Sequence, residues 1–169
     1  MSRASTIKYY APFTFFLLML LDGQMTRALD SIFHQNFFIH PHTLMLALVL
    51  ATFQLSRRYM LITATIIGVL MDSYYIGIIG IYALCLPLIV LLCYQIFQYV
   101  HPNAFTLLLA VIIFVTVLET SLLLVQGVFS LADVNFVNFI TQTLGPTLLL
   151  NIALFLILII PFKKLFIFK

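Results

Sequence analysis

The sequence predicts an all-α integral membrane protein, a compact bundle of about six transmembrane helices. Of its 169 residues, 64% are hydrophobic and only 8% are charged, whereas soluble domains contain roughly 45–50% apolar and about 25% charged residues. Polar residues occur only in short gaps between apolar runs, which indicates a single transmembrane domain over residues 1–169. The eight Lys and Arg residues form no basic face, so we expect no nucleic acid partner.

Six apolar segments approach the length of about 20 residues, within a range of roughly 17–25, that a helix needs to cross a membrane. They cover residues 9–25, 41–55, 59–75, 77–99, 104–126 and 141–162. The second is short for a span, and the third and fourth are joined without a clearly aqueous loop. Arg3 and Lys8 precede the first segment as in a secretory signal. Because no small-x-small cleavage site follows, we predict a retained first helix.

One group of polar residues lies at the end of the first segment, and another lies at the start of the second. Asp22 and Gln24 end the first span, and we expect Asp22 and Asp30 to form a local ion pair with Arg27 at the outer surface. The motif "HPH", with His40 and His42, begins the second segment and suggests metal binding. No Cys or carboxylate stands at ligand spacing, so we predict neither a metal nor a cofactor.

The third and fourth segments meet in "GVLMDSYYIGIIGIY", which contains a single carboxylate. On a helix Gly68 and Asp72 share one face, so another helix can approach closely while the carboxylate points into the same seam. Three tyrosines are close enough to donate hydrogen bonds to it: Tyr74, Tyr75 and Tyr82. With Gly77 and Gly80 forming a turn, a structural role is favoured over transport or catalysis, because no second acid or cation adjoins Asp72 in sequence.

The fifth segment contains Glu119 past the middle of an uninterrupted apolar run. An ionised side chain there costs at least about 2.5–3.5 kcal/mol, so it must face protein or water. Four polar side chains are candidate partners: Thr116, Thr120, Gln142 and Asn151. Two interpretations remain open, a ligand or proton site and an interhelical hydrogen bond. Cys85 and Cys93 in the fourth segment lie roughly 12 Å apart along a helix, too far to bridge, and are interpreted as packing residues.

The basic residues predict the orientation. A cytoplasmic N-terminus leaves only Arg27 outside, as the positive-inside rule expects. The residues then placed in the cytoplasm are Arg3, Lys8, Arg57, Arg58, Lys163, Lys164 and Lys169. A five-span alternative with a re-entrant hairpin at 59–80 would put the C-terminal lysines on the opposite side from Arg57 and Arg58, so we expect six spans with both termini in the cytoplasm. No phosphate-binding loop, nucleophile–base pair or zinc signature supports an enzyme.

The segment "GVLMDSYYIGIIGIYALCLPLIVLLCY" resembles the most recognisable part of the rod shape-determining protein MreD family. On this match Gly68, Asp72, Gly77 and Gly80 carry the family pattern. The stretch "FFLLMLLDGQ", with Asp22 and Gln24, looks like the start of Gram-positive members. Similarity at the level of residues is confined to these two stretches, while length, about six spans and basic termini agree over the whole chain.

The resemblance implies a non-enzymatic membrane subunit of the bacterial cell-elongation machinery. Its implied partners are the bitopic protein MreC, peptidoglycan synthases and membrane lipid, and its implied location is the cell membrane. The family is also similar in fold to the substrate-binding subunits of energy-coupling-factor vitamin transporters, which makes such a subunit the alternative. The chain has no tryptophan and few polar groups converging on a pocket, which disfavours a vitamin site. A third alternative is a chaperone or insertion factor for membrane proteins.

Overall fold

A computed structural model describes residues 3–33, 37–77, 80–101, 103–128 and 135–166, without side chains at 3–7, 76 and 161–166. Regular structure in this part of the chain is entirely helical, which confirms the all-α prediction. The first five helices are α1 (Arg3–Ile32), α2 (Thr43–Ala51), α3 (Arg57–Met71), α4 (Ile81–Ile96) and α5 (Ala104–Val128). The sixth, α6, joins Phe136–Asn138, a π-helical stretch Phe139–Leu144 and Gly145–Phe166. A second π-helical turn, Asp72–Ile76, continues α3.

Each of the six predicted segments coincides with one helix, but the second differs in length. α2 has nine residues, about 13 Å along its axis, against a hydrocarbon core of about 30 Å. Residues 38–42 before it have no helical structure. Pro41 lacks a backbone N–H and disfavours helix at the residue before it, so the helix begins after the "HPH" motif.

α2 forms the centre of the bundle. All nine of its residues are buried, and it contacts α1, α4, α5 and α6. A helix that is apolar all round is stable only when it is enclosed in this way. The outer helices instead expose large apolar side chains, for example Phe13, Ile62, Leu84, Ile113 and Leu156. An apolar exterior over a packed centre suits a protein surrounded by lipid.

Two helical stretches, Ala104–Val128 and Phe136–Ile160, are long and apolar enough to cross a membrane. Ile81–Ile96 is apolar but shorter. These findings rest on length and composition of the described residues. Six spans therefore remain a proposal.

Consecutive helices run in alternating directions, as contacts at the two ends of the bundle show. At one end, here called the basic end, the Lys8 ammonium lies 5.2 Å from the centre of the Tyr59 ring, and the Tyr94 hydroxyl donates to the Leu55 carbonyl. At the opposite end, here called the acidic end, α1 meets the start of α2, and the end of α3 meets the start of α4. Glu119 of α5 and Asn151 of α6 also lie there.

Candidate functional site

The candidate site is the acidic end, where buried carboxylates contact the starts of other helices. Asp22 of α1 accepts hydrogen bonds from the Thr43 and Leu44 backbone N–H groups at 3.0 and 2.9 Å, and from the Thr43 hydroxyl. It thus satisfies donors that the first turn of α2 cannot bond internally. The expected ion pair with Arg27 is wrong. Arg27 lies over the Tyr74 ring instead, 5.9 Å from its centre.

Asp72 binds the start of α4 in the same way that Asp22 binds the start of α2. Its carboxylate accepts from the backbone N–H groups of Gly80, Tyr82 and Ala83 at 2.8, 2.8 and 3.0 Å, and the residue is completely buried. The anticipated tyrosine donors are therefore replaced by backbone donors, and the Tyr75 hydroxyl donates to the Met19 carbonyl. A negative charge at this position also complements the positive end of the α4 dipole.

Glycines allow the chain to reach Asp72 from both sides. Gly77 and Gly80 have φ of 73° and 130°, in the region that residues with a side chain rarely adopt. Gly68 faces α4 so closely that a Cβ there would lie 2.5 Å from the Tyr82 carbonyl oxygen. Close approach of α3 and α4 brings the α4 N-terminus within reach of the carboxylate.

Glu119 joins two histidines that lie 77 and 79 residues away in sequence. Its Oε1 is 2.9 Å from His40 Nδ1 and 2.9 Å from His42 Nε2. The Glu119 side chain is 2% exposed, whereas that of His40 is 32% exposed. These partners differ from the four polar side chains suggested by the sequence, and they place a carboxylate beside the "HPH" motif. No group of three metal-ligating side chains is arranged to hold a metal ion within the described ranges.

The hydrogen bond explains the ionisation behaviour of His40. Burial lowers the pKa of its imidazole, but the hydrogen bond and negative charge of Glu119, assisted by Asp30, raise the pKa above its ordinary value. The protonated imidazole is therefore favoured beside Glu119. A single carboxylate oxygen can bind both rings because each presents a nitrogen to it.

Two α6 side chains hold the backbone that carries these histidines. The Asn151 amide accepts from the His42 N–H and donates to the His40 carbonyl, both at 2.8 Å. The Thr147 hydroxyl accepts from the His40 N–H at 3.1 Å, and the Gln142 carbonyl accepts from the Phe38 N–H at 2.9 Å. Non-helical backbone at membrane depth requires such protein partners because lipid supplies none.

His40 lines two cavities. One, of about 190 Å³, lies among α1, α2 and α4 and is lined mainly by apolar side chains, with Asp22, Arg27 and His42 among its polar lining. The other, of about 420 Å³, lies between α5 and α6. We call it the amide-lined cavity, and it is bordered by Phe38, His40, Glu119, Leu122, Leu123, Gln126, Asn135, Asn138, Phe139, Gln142 and Thr143.

The remaining predicted residues lie away from this cluster. Gln24 is exposed on α1, and Arg57 and Arg58 are exposed at the start of α3. Lys163 and Lys164 belong to α6, but their side chains lie outside the described residues. Sequence reasoning missed His40, His42, Thr147 and Asn151 as one cluster. The usable signal was the presence of Glu119 and Asn151 in apolar helices, because polar groups within membranes require partners.

Comparison with known proteins relates the chain to bacterial cell-shape proteins. A family model described as rod shape-determining protein MreD matches residues 3–169. The chain is similar to the rod shape-determining protein MreD of Bacillus subtilis (strain 168), with 31% identity over 126 residues, 75% of this chain and 73% of the relative. It is also similar to the cell shape-determining protein MreD of Streptococcus pneumoniae (strain ATCC BAA-255 / R6), with 27% identity over 133 residues, 79% and 80% of the two chains. No solved structure matches.

Proposed function

Because this chain belongs to the MreD family of cell shape-determining proteins, we propose that it is a non-enzymatic membrane scaffold of the cell-elongation machinery. It binds an MreC-like bitopic membrane protein and supports peripheral peptidoglycan synthesis through the synthases of that machinery. It has six spans and both termini in the cytoplasm. Its fold is similar to that of the substrate-binding subunits of energy-coupling-factor transporters.

The main support for this proposal is that the buried carboxylates hold different helices together. Asp22 and Asp72 each accept hydrogen bonds from the first turn of another helix, and Glu119 binds the segment that leads into α2. Charged hydrogen bonds to backbone groups are among the stronger contacts available in a protein. They connect α1 with α2, α3 with α4, and α5 with the start of α2, which suits a rigid body that presents a defined surface.

The ends of the bundle support the proposed orientation. Lys8, Arg57 and Arg58 lie at the basic end, as expected for a cytoplasmic face. Alternating helix directions then place Asp22, Asp72 and Glu119 towards the opposite face. In this arrangement the irregular segment before α2 and both cavities lie near the outer side of the membrane.

Affinity purification of the tagged full-length protein from its native membrane tests the scaffold. Extraction in a mild detergent, followed by mass spectrometry, should recover a bitopic MreC-like protein together with peptidoglycan synthases. An unrelated multi-pass protein with the same tag, purified in parallel, controls for nonspecific recovery. ATPase subunits and a bound vitamin would instead establish a transporter component, and crosslinks to many nascent membrane chains would establish an insertion factor.

A further inference from the structure

The amide-lined cavity between α5 and α6 has the size and composition of a small-molecule site. Its volume of about 420 Å³ falls within the roughly 300–1,000 Å³ of known ligand pockets. The π-helical stretch Phe139–Leu144 forms one wall and contributes Phe139, Gln142 and Thr143. Departures from α-helical geometry of this kind frequently occur at functional sites.

Glu119 contributes a buried carboxylate oxygen to this cavity. Its Oε1 binds both histidines, whereas Oε2 makes no hydrogen bond to any described residue. The Glu119 side chain is only 2% exposed. Because Glu119 lines this cavity and its Oε1 already binds both histidines, Oε2 is the carboxylate oxygen left for a ligand there. Such an oxygen needs a hydrogen-bond donor.

Apart from His40, the other polar groups of the cavity are neutral amides and a hydroxyl. The side-chain amides of Gln126, Asn138 and Gln142 make no hydrogen bond to the described residues, and each offers both donors and an acceptor. The Thr143 hydroxyl adds a further donor and acceptor. Two aromatic rings, Phe38 and Phe139, border the same space. Hydroxyl groups pair with amides and carboxylates, while the C–H face of a pyranose ring packs on an aromatic ring.

We propose that the amide-lined cavity binds a neutral sugar ring, with Glu119 Oε2 accepting from a sugar hydroxyl and the amides pairing with further hydroxyls. A cation fits less well, because two imidazoles already donate to this carboxylate. The sugar comes either free from solution or as the head group of a glycolipid. A scaffold does not require a ligand site, so the proposed sugar site does not depend on whether the protein binds its partners.

Thermal unfolding of the purified full-length protein tests the site. The chain contains no tryptophan, so a thiol-reactive dye that reports exposure of the buried Cys93 follows unfolding. The detergent must be free of sugar, for example lauryldimethylamine oxide. The probes are glucose, octyl glucoside and octyl tetraethylene glycol, the last having the same alkyl chain without a sugar.

A saturable rise in unfolding temperature with glucose supports a site for free sugar. A rise with octyl glucoside alone supports a glycolipid head group. Gln126→Leu should increase the half-saturating concentration about three- to tenfold, the effect of losing one or two hydrogen bonds. Thr143→Val, which nearly preserves shape, provides a second variant. Gln24→Leu makes the same change at an exposed position outside the cavity and should leave the concentration unchanged.

Three outcomes would overturn the proposal. The first is no saturable effect of either sugar probe on the parent protein. The second is an equal effect of octyl tetraethylene glycol, which would identify an adventitious additive only. The third is unchanged sugar binding in both Gln126→Leu and Thr143→Val. Copurification of cell-wall proteins is a separate readout, so failure of this proposal and failure of the scaffold function are distinguishable.

Discussion

Among single side chains, Asp72 connects sequence pattern to geometry most directly. It lies four residues after Gly68, and its carboxylate receives three backbone N–H groups from the start of α4. A carboxylate in this position offsets the unfavourable burial of a charge by accepting hydrogen bonds and by facing the positive end of a helix dipole. A lone intramembrane acid can therefore be structural without any cation beside it.

Replacement of Asp72 by Leu should destabilise the protein. The change leaves one buried and two partly buried N–H groups without their acceptor, which we expect to lower the free energy of unfolding by about 2–4 kcal/mol. Thiol-dye unfolding in detergent would show this as a lower unfolding temperature. Asp72→Asn retains one acceptor oxygen and should give an intermediate value. An Asp72→Leu protein that is as stable as the parent and assembles normally would contradict the structural role.

The His40–Glu119 pair should make stability depend on pH. Glu119 raises the pKa of His40 in the folded protein, so folding favours the protonated ring. The resulting stabilisation is complete below the unfolded pKa of about 6.5 and is lost as pH rises through the higher folded value. The loss of this stabilisation should therefore lower the unfolding temperature as the pH rises from about 6 to about 9.

Glu119→Gln should weaken the part of this pH dependence that comes from His40, since the neutral amide no longer favours an imidazolium. His101→Gln, at an exposed histidine that does not contact Glu119, is the control and should behave like the parent. An unchanged pH profile in Glu119→Gln would refute the assignment. If Glu119→Gln also preserves assembly and cell shape, proton transfer through Glu119 is excluded and its packing role remains.

Among the helices, the pair α3 and α4 depends on one small residue. A Cβ at Gly68 would meet the Tyr82 carbonyl oxygen and the Ala83 Cα at 2.5 and 2.6 Å. Both are backbone atoms, which cannot rotate away as a side chain can. Small residues have this function in membrane helix packing, where backbones approach closely.

Gly68→Ala should therefore push α4 away from α3 and weaken the hydrogen bonds to Asp72. We expect a loss of about 1–3 kcal/mol, as for other overpacked interiors, measured by the same unfolding assay. Val69→Ile adds one carbon on the neighbouring, partly exposed position of α3 and should have little effect. Equal stability of the two variants would show that α4 can shift without cost.

The start of α2 shows how far helix prediction from sequence extends. Apolar length located all six helices, but it could not show that α2 is only nine residues long. Its boundary depends on Pro41 and on side chains from three other helices: Asp22, Glu119, Thr147 and Asn151. Two of these lie more than 100 residues away along the chain. Local sequence contains no information about such partners.

For the molecule as a whole, composition was sufficient to predict the helical class, and two sequence motifs were sufficient to predict the family. The surroundings of Asp72 could be predicted in part from the sequence, because its hydrogen-bond donors follow within 11 residues. The Glu119 cluster could not, because its partners belong to a segment 77–79 residues earlier. Hydrophobic periodicity does not locate such contacts, since apolar faces in a membrane meet either lipid or protein.

The alternating helix directions lead to a topology that can be measured. If the basic end is cytoplasmic, a cysteine at Arg58 is accessible from the cytoplasm and a cysteine at Gln24 from the outside. Both positions are exposed, and the native Cys85 and Cys93 are first replaced by alanine. A membrane-impermeant maleimide should then label Gln24→Cys in right-side-out vesicles and Arg58→Cys in inside-out vesicles.

Detergent-permeabilised vesicles provide the control, because both cysteines should then react to the same extent. The reverse labelling pattern would invert the bundle and place the acidic end, with its two cavities, in the cytoplasm. Labelling of both cysteines from one side would contradict the return of the chain through α2, which lies between them in sequence. The expected pattern would place the irregular segment before α2 and the amide-lined cavity near the outer surface, where a sugar-bearing ligand would have to approach from that side.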